Sequence, residues 1–586
     1  MARAWRQGVA AIGLIALAGV CASADPYDPP AGYYATATGT GATLKAQLFA
    51  IISKNYWTGG ATRILSYTGQ TRFAMAIGSR QTPSPTDAFQ VLVYDGTLHT
   101  KVWNSGATWN SEHTWPRSRG VGSSGPDDAD CHMLRPALTA SNGSRGNNPY
   151  GTGAGEFDPN QGAGQHYRGE MARTMFYAAT RYEGTESGTV DLELVNGTPS
   201  GNQMGDLAEL LMWHFDEGPS ARERWRNHVL WSNNPADWYD AQVNPSSTTY
   251  HQGNRNPFVD HPEYVWAIWG TGPSNATLYV GPGFAGDGSS ATTVDLGRVI
   301  HGAAVATTIP VNKSGSHPST WIVTTVTGAA FSDDEGLART YPSVITPSIP
   351  QPLVSVGIDS SIGGYGLLSG TVVIDDTDLT SAGAGKGSAD ADDVITVELE
   401  AVDHSNASFE SLADADGLVI DFGTVGQFAS VTPIGASVWN LVSPNGATAG
   451  LDVDAVAGSG ATGVVSIDLA ASVNLPAGQA RNFLASVDTS AALGFYESTY
   501  TVSVSDENIP GATAQGALVV TVRATIAPAC AGDINGDGAT NAADFTVLAG
   551  NFGAGPGMTR AQGDLTGDGF VNAADFTILA GDFGCQ

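Results

Sequence analysis

Two rhythms of apolar residues divide this chain. In its first half they recur at helical spacing, in Leu44 to Ile52, Gly169 to Tyr182 and Met204 to Phe215. Strand-like runs such as Phe89-Gln90-Val91-Leu92-Val93-Tyr94 lie between them, and the mixture predicts an α+β domain. From about Asn275 to Ile526 the rhythm becomes short Val, Thr and Ile runs punctuated by Gly, Ser and Asp. Examples are Trp321-Ile322-Val323-Thr324-Thr325-Val326, Val394-Ile395-Thr396-Val397-Glu398-Leu399 and Tyr500-Thr501-Val502-Ser503-Val504. Strands at this spacing predict one or two β-sandwich domains, and the length favours two, divided near His404 to Phe409. The end of the chain returns to helical spacing. Phe545, Leu548 and Phe552, then Phe576, Leu579 and Phe583, predict one buried face on each of two short helices.

Charge follows the same division. Only 14% of the 586 residues are charged, with a formal net charge of −31. Asp25 to Thr271 holds 17 Lys/Arg against 24 Asp/Glu, whereas Gly272 to the end holds 7 against 33. Most of the 13 tryptophans also precede Gly270, so a boundary is expected near Gly270-Thr271-Gly272. Affinity for nucleic acid rests on Lys and Arg; the acidic excess argues against it for the second half and much less for the first.

The N-terminus has the three parts of an export signal. Arg3 and Arg6 are basic, Val9 to Val20 is apolar, and Ala22-Ser23-Ala24 offers a small-residue cleavage site, so residues 1–24 are expected to be removed. No later run reaches the roughly 18 apolar residues of a membrane helix, and a soluble, secreted protein is expected. Cleavage leaves Cys131, Cys530 and Cys585. The last two flank one module and are expected to pair, leaving Cys131 as a lone buried thiol.

The C-terminal module is an internal repeat: GDINGDGATNAADFTVLAGNFG from Gly532 returns as GDLTGDGFVNAADFTILAGDFG from Gly563. Each copy places side-chain oxygens at loop positions one, three, five, nine and twelve. These are Asp533, Asn535, Asp537, Asn541 and Asp544, then Asp564, Thr566, Asp568, Asn572 and Asp575. Ca²⁺ wants six to eight oxygens, and the glycine at position six, Gly538 or Gly569, permits the sharp turn. Two Ca²⁺ ions are expected. The repeat resembles a type I dockerin, which implies a cohesin-like partner or a cell-surface scaffold. It departs from cellulosomal dockerins in carrying Ala542-Ala543 and Ala573-Ala574 where hydroxyl pairs are common, and in lacking basic residues later in each helix.

Candidate chemistry concentrates between Trp109 and Tyr150. Glu112-His113 follows an expected strand, and Asn142 comes thirty residues later with Asp130, His132, Arg135 and Arg145 nearby. An imidazole suits a general base at neutral pH. A carboxylate and an amide oxygen suit a hydrated Mg²⁺. Spacing alone does not separate this from an ordinary surface or core Glu-His pair. Residues 33 to 266, however, resemble the bacterial endonuclease I family of His-Me finger (ββα-metal) nucleases. The resemblance rests on GATLKAQLFAII from Gly41, SEHTWPRS, DADCHMLRPA, SNGSRGN, YRGEMARTMFYAATRY from Tyr167, LLMWHFDEGPSARERWRN from Leu210 and HQGNRNPFVDHPE from His251.

That resemblance implies His113 as the general base, with Glu112 and Asn142 as the side-chain ligands of one Mg²⁺. It implies Asp130 and His132 as supporting or phosphate-side residues, Arg145 as the arginine after the metal-ligand asparagine, and Arg117 and Arg119 as phosphate clamps. Arg168 and Arg173 are expected to pair with Glu170 or Asp158, or else to contact DNA. His214 reads as a packed histidine. His251, Asn254, Arg255, Asn256, Asp260 and His261 are expected to pin the edge of the domain.

The expected organisation is an export signal at 1–24, a catalytic domain at 25–272, β-sandwiches at 273–405 and 406–527, and the dockerin-like module at 528–586. The expected function is a secreted endonuclease acting on DNA with little sequence specificity, with RNA open as a second substrate. The competing class is a calcium-stabilised adhesive or scaffold-tethered protein whose nuclease domain is inactive.

Overall fold

A computed structural model describes residues 15–17, 26–123, 125–161, 166–272, 274–376 and 390–585. The expected export signal lies outside these residues apart from Ile15–Leu17. Among the described residues no helix is long and apolar enough to cross a membrane. The chain forms two compact units. One comprises Met1–Leu296, Ala306–Ile358 and Ser369–Glu398; the other comprises Gly297–Val305, Asp359–Leu368 and Leu399–Gln586.

The first half of the chain is helical around small β-pairings. Helices Gly41–Ile52, Arg168–Arg181 and Leu207–Asp216 fall where the apolar spacing placed them. Asp206 caps the last by accepting from the backbone N–H of Ala208 at 2.9 Å. Helix Arg168–Arg181 is buried along almost its whole length, and each charge it carries inward is paired. Glu170 meets Arg135 at 3.1 Å, Arg173 meets Glu223 at 2.6 Å, and Arg181 meets Glu186 at 2.9 Å. The expected partner of Arg173 is therefore corrected from Glu170 or Asp158 to Glu223. Arg168 does pair with Asp158, at 2.7 Å.

Beyond the nuclease-like half, a five-stranded sheet runs in the order Arg339–Tyr341, Ser319–Gly328, Gly366–Asp376, Asp393–Val402, Ala291–Ile300. In the second unit a four-stranded and a five-stranded sheet share one core. Val438, Phe483 and Ala485 enter it from the first sheet, and Val453, Val502, Val520 and Val522 from the second. Strand Leu518–Ala527 shows the cause: every second residue is buried, as a pleated strand with one face inward requires.

The C-terminal module closes with the expected Cys530–Cys585 disulfide, and Cys131 is a free buried thiol. One expectation fails here. Phe545, Phe552, Phe576 and Phe583 are 43–56% exposed, and only Leu548 and Leu579 of the six helical positions are buried. The core is too small for more. Ile534, Leu548, Val571 and Leu579 fill it, which leaves the larger rings on the outside.

Candidate active site

The hairpin Trp109–His113 and Leu134–Leu138 pairs antiparallel, with Glu112 opposite Arg135 and Asn110 opposite Ala137. Helix Thr139–Arg145 follows directly. Glu112 and His113 are thus the end of a strand, where the sequence reading put them just beyond one. Alternation along the strand sends their side chains to opposite faces.

On one face the His113 ring lies 5.4 Å from the Tyr67 ring at an interplanar angle of 21°. His113 Nε2 lies 3.0 Å from the Asp128 carbonyl oxygen. A carbonyl only accepts, so Nε2 carries the proton and Nδ1 keeps its lone pair. Burial pushes the imidazole down to about 4, against the pull of the Asp128 carbonyl, and holds it neutral near pH 7. Arg117 pairs with the Asp128 carboxylate through Nε at 2.8 Å and lies 4.6 Å over the Tyr67 ring. Neither Tyr67 nor Asp128 was singled out by sequence. The tyrosine lies far from the hairpin along the chain, and Asp128 acts through a backbone atom that no residue pattern encodes.

On the other face Glu112 is 2% exposed. Its Oε1 accepts from the Tyr94 hydroxyl at 2.7 Å and lies 3.5 Å from Arg145 Nη1. Tyr94 in turn lies 2.7 Å from the Tyr150 hydroxyl and adopts φ 82°, an uncommon conformation for a bulky side chain. Burial raises the Glu112 carboxyl above its ordinary range, and Arg145 and Tyr94 pull it part of the way back. Asn142 donates through Nδ2 to Asn110 Oδ1 at 2.7 Å, which leaves its carbonyl oxygen as the remaining acceptor. Asn110 is two residues before Glu112, on the same face of the strand. A buried carboxylate and a half-buried amide oxygen are ligand types that suit a hard cation such as Mg²⁺.

Three expected site residues are interior, which for Asp130 and His132 fits a supporting place and not a phosphate-side one. Arg145 is 1% exposed and donates to the carbonyls of His113 and Thr114, so it braces the hairpin and does not reach a phosphate. Asp130 is 2% exposed and accepts from Tyr177 and Tyr182, both at 2.8 Å, and from Gln252 at 3.0 Å. Burial would raise its carboxyl, yet the His132 ring and the bonds from Gln252 and Tyr182 hold it below its ordinary value. His132, also buried, meets the Asn254 carbonyl at 3.2 Å, and burial pushes it down to about 4. Both residues belong to the interior beneath the hairpin. Arg119 is likewise spent on backbone, donating to Asn147, Pro199 and Gln203 carbonyls. His214 is packed as expected, 2.9 Å from the Pro262 carbonyl. Arg255 and Asp260 pair at 2.7 Å, and Asn256 caps the turn at Pro257, so these members of the cluster do pin the domain edge.

In the C-terminal repeat the carboxylates of Asp533, Asp537 and Asp544 converge with ligand atoms within 4.8 Å of one another. Asp533 accepts from Gly536 and Gly538, and Asp544 from Ile534, Asn535 and Asn541, which curls the loop around them. Asp564 and Asp575 repeat this pattern. Gly538 and Gly569 take φ of 88° and 84°, the turn that glycine permits. Asn541 and Asn572 serve as helix N-caps, accepting from Ala543 and Ala574 at 2.7 Å. Asn535 Oδ1 and Asp568 Oδ1 accept from neighbouring backbone, and Thr566 donates to Asp564 at 3.3 Å.

The family model "Endonuclease I" matches residues 40–263, and "Dockerin type I domain" matches residues 531–583. An "Extracellular ribonuclease" of Bacillus amyloliquefaciens is 32% identical over 252 residues, covering 40% of this chain and 78% of the relative. An "Extracellular ribonuclease" of Bacillus subtilis (strain 168) is 33% identical over 270 residues, covering 43% of this chain and 83% of the relative. With the family match over residues 40–263, and both relatives more than 30% identical and covered beyond two thirds of their length, the chain belongs to the endonuclease I family.

Proposed function

We propose that the protein is a secreted, metal-dependent endonuclease of the His-Me finger type, hydrolysing phosphodiester bonds of RNA as well as DNA with little sequence preference. The observation that carries this reading is the fixed tautomer of His113. With Nε2 committed to the Asp128 carbonyl, Nδ1 is free to take a proton from water. The water oxygen then bonds to phosphorus as the bond to the leaving oxygen breaks, and solvent returns a proton to that oxygen. Arg117, exposed beside His113, is placed to attract the phosphate. A Mg²⁺ held by Glu112 and Asn142 would neutralise charge gathering on the phosphate. RNA is included because both relatives are named ribonucleases.

The domain limits expected from sequence, 25–272, 273–405, 406–527 and 528–586, remain our reading, with the paired sheets as β-sandwiches. The C-terminal loops are read as two Ca²⁺ sites, and the module as a tether to a cohesin-like partner. Its exposed phenylalanines, with Phe545 and Phe576 at 6.1 Å between ring centroids, supply apolar surface for that contact.

Digestion of plasmid DNA and of a structureless RNA by wild type and His113→Ala, with Mg²⁺ and then with EDTA, tests the mechanism. Cleavage should stop in EDTA and fall roughly 10²- to 10⁴-fold in the variant. Undiminished cleavage by His113→Ala would refute the role of His113.

A further inference from the structure

A pocket of about 560 Å³ opens on the nuclease domain, lined by Tyr33, Gln47, Ile51, Lys54, Asn55 and Tyr56 among others and by no residue of the hairpin. The Tyr33 and Tyr56 rings stand 5.5 Å apart at 34°. Tyr56 is 45% exposed and adjoins Trp57, itself 38% exposed and set 4.8 Å from the Trp231 ring. Rings left open side by side mark surfaces that a flat apolar group covers.

This strip is held from behind. Trp57 Nε1 donates to the Trp231 carbonyl at 2.6 Å, and Tyr56 donates its backbone N–H to the Gly253 carbonyl at 2.8 Å. Asn55 Oδ1 accepts from the backbone of Trp57 and Thr58. The Tyr56 ring also meets Trp57 edge-on at 5.1 Å and lies 5.6 Å from the Trp231 ring, so it is fixed in place while nearly half of it stays exposed. Two polar groups complete the pocket. Gln47 Oε1 accepts from the backbone of Thr38 and Gly39, which leaves its amide N–H groups to donate. Lys54, two residues beyond helix Gly41–Ile52, is exposed and has no ion pair among the described residues, whereas Lys45 on that helix is tied to Glu183 at 2.7 Å.

The pocket shares a scaffold with the reaction centre. Asn55 Nδ2 donates to the Gln252 carbonyl at 3.1 Å. The Gln252 side chain donates to Asp130 and accepts from the backbone of Cys131, in the segment whose Asp128 carbonyl holds His113.

We infer that this pocket binds an unpaired base of a single-stranded nucleic acid together with its adjoining phosphate, at a distance from the bond that is cut. The base lies on the tyrosine strip, the Gln47 amide meets its edge, and Lys54 meets the phosphate. A duplex hides its base faces, so such a platform selects unpaired strands. The inference rests on the nuclease reading above and specifies the substrate form.

The test uses the full chain. Binding of a twelve-residue oligouridylate is followed in EDTA by tryptophan fluorescence, and its cleavage is followed separately with Mg²⁺. Tyr56→Ala should weaken binding about tenfold, the loss expected for one stacked base. KM should rise by a similar factor with kcat within about twofold. Lys54→Gln should lower the slope of log affinity against log salt by about one contact. Unchanged oligouridylate affinity in both variants overturns the inference, even if the wild type cleaves. So does tighter fluorescence-detected binding of a neutral oligosaccharide than of the oligonucleotide. Absence of cleavage by the wild type overturns the nuclease reading, while the EDTA titration still reports on the pocket.

Discussion

Arg145 and Arg117 both adjoin the hairpin that carries Glu112 and His113, one from the interior and one from solvent, and their removal should have different consequences. Arg145 donates to the carbonyls of His113 and Thr114 and neutralises part of the Glu112 charge, all at 1% exposure. Lysine offers a point charge where the site uses a planar fork. Arg145→Lys should therefore cost about 2–4 kcal/mol, because buried carbonyls lose their donors. Its kcat should fall at least tenfold as His113 loosens. Urea unfolding and steady-state rates read the two effects; an unchanged unfolding midpoint would contradict the bracing role. Arg117 is 44% exposed at its side chain, and its pair with Asp128 should contribute under about 1 kcal/mol. Arg117→Gln should leave the unfolding midpoint nearly unmoved and raise KM several-fold. A fall in stability as large as that of Arg145→Lys would show the two roles to be the same.

At the scale of elements, the sequence conveyed rhythm well and direction poorly. The helices Gly41–Ile52 and Arg168–Arg181 were legible because apolar spacing is local. So were the loops of the dockerin type I repeat, whose aspartates, glycine and repetition all lie within a few residues. Tyr67, Tyr94 and Asp128 were not legible at the site, since each reaches it through tertiary contact or a backbone atom. The same limit misplaced the phenylalanines of the C-terminal helices. Helical spacing shows that Phe545, Leu548 and Phe552 can share a face, but not how much core the partner helix can supply. Leu548 is the residue that fills it, at 1% exposure. Leu548→Ala should cost the module about 2–5 kcal/mol, and Phe552→Ala under about 1 kcal/mol. Calorimetry of the full chain in calcium should show one transition, that of the module, shifting down for Leu548→Ala and staying in place for Phe552→Ala. Equal shifts would mean that Phe552 is packed after all.

For the whole molecule, acid should act on charge and on buried groups in one pH window. The chain carries a net charge of −31 near neutrality and an isoelectric point near 4.4, so the self-repulsion that keeps it dispersed vanishes there. In the same window the unit that holds the nuclease weakens. Burial pushes His132 down to about 4 and His214 well below its ordinary value. Both are neutral in the fold and take up protons near 6.5 once unfolded. Their contribution is complete above about 6.5 and is lost as pH falls toward 4. Asp393 opposes this. Burial, against a hydrogen bond from Ser290, lifts its carboxyl to about 7, which favours the fold as pH falls from 7 toward 4. His132 and Asp393, both buried, are shifted by similar amounts in opposite senses, each worth on the order of 3–4 kcal/mol. His214, held further down, and His113, pushed down to about 4, add to the loss in acid. Unfolding free energy should therefore decline from pH 7 to pH 4.5, with light scattering rising as the isoelectric point is approached. A flat unfolding free energy over that range would show that His214 is not held neutral in the fold. The Asp393→Asn variant should steepen the decline, because it removes a carboxyl whose raised value favours the fold in acid, as that of Asp216, lifted to about 6, also does.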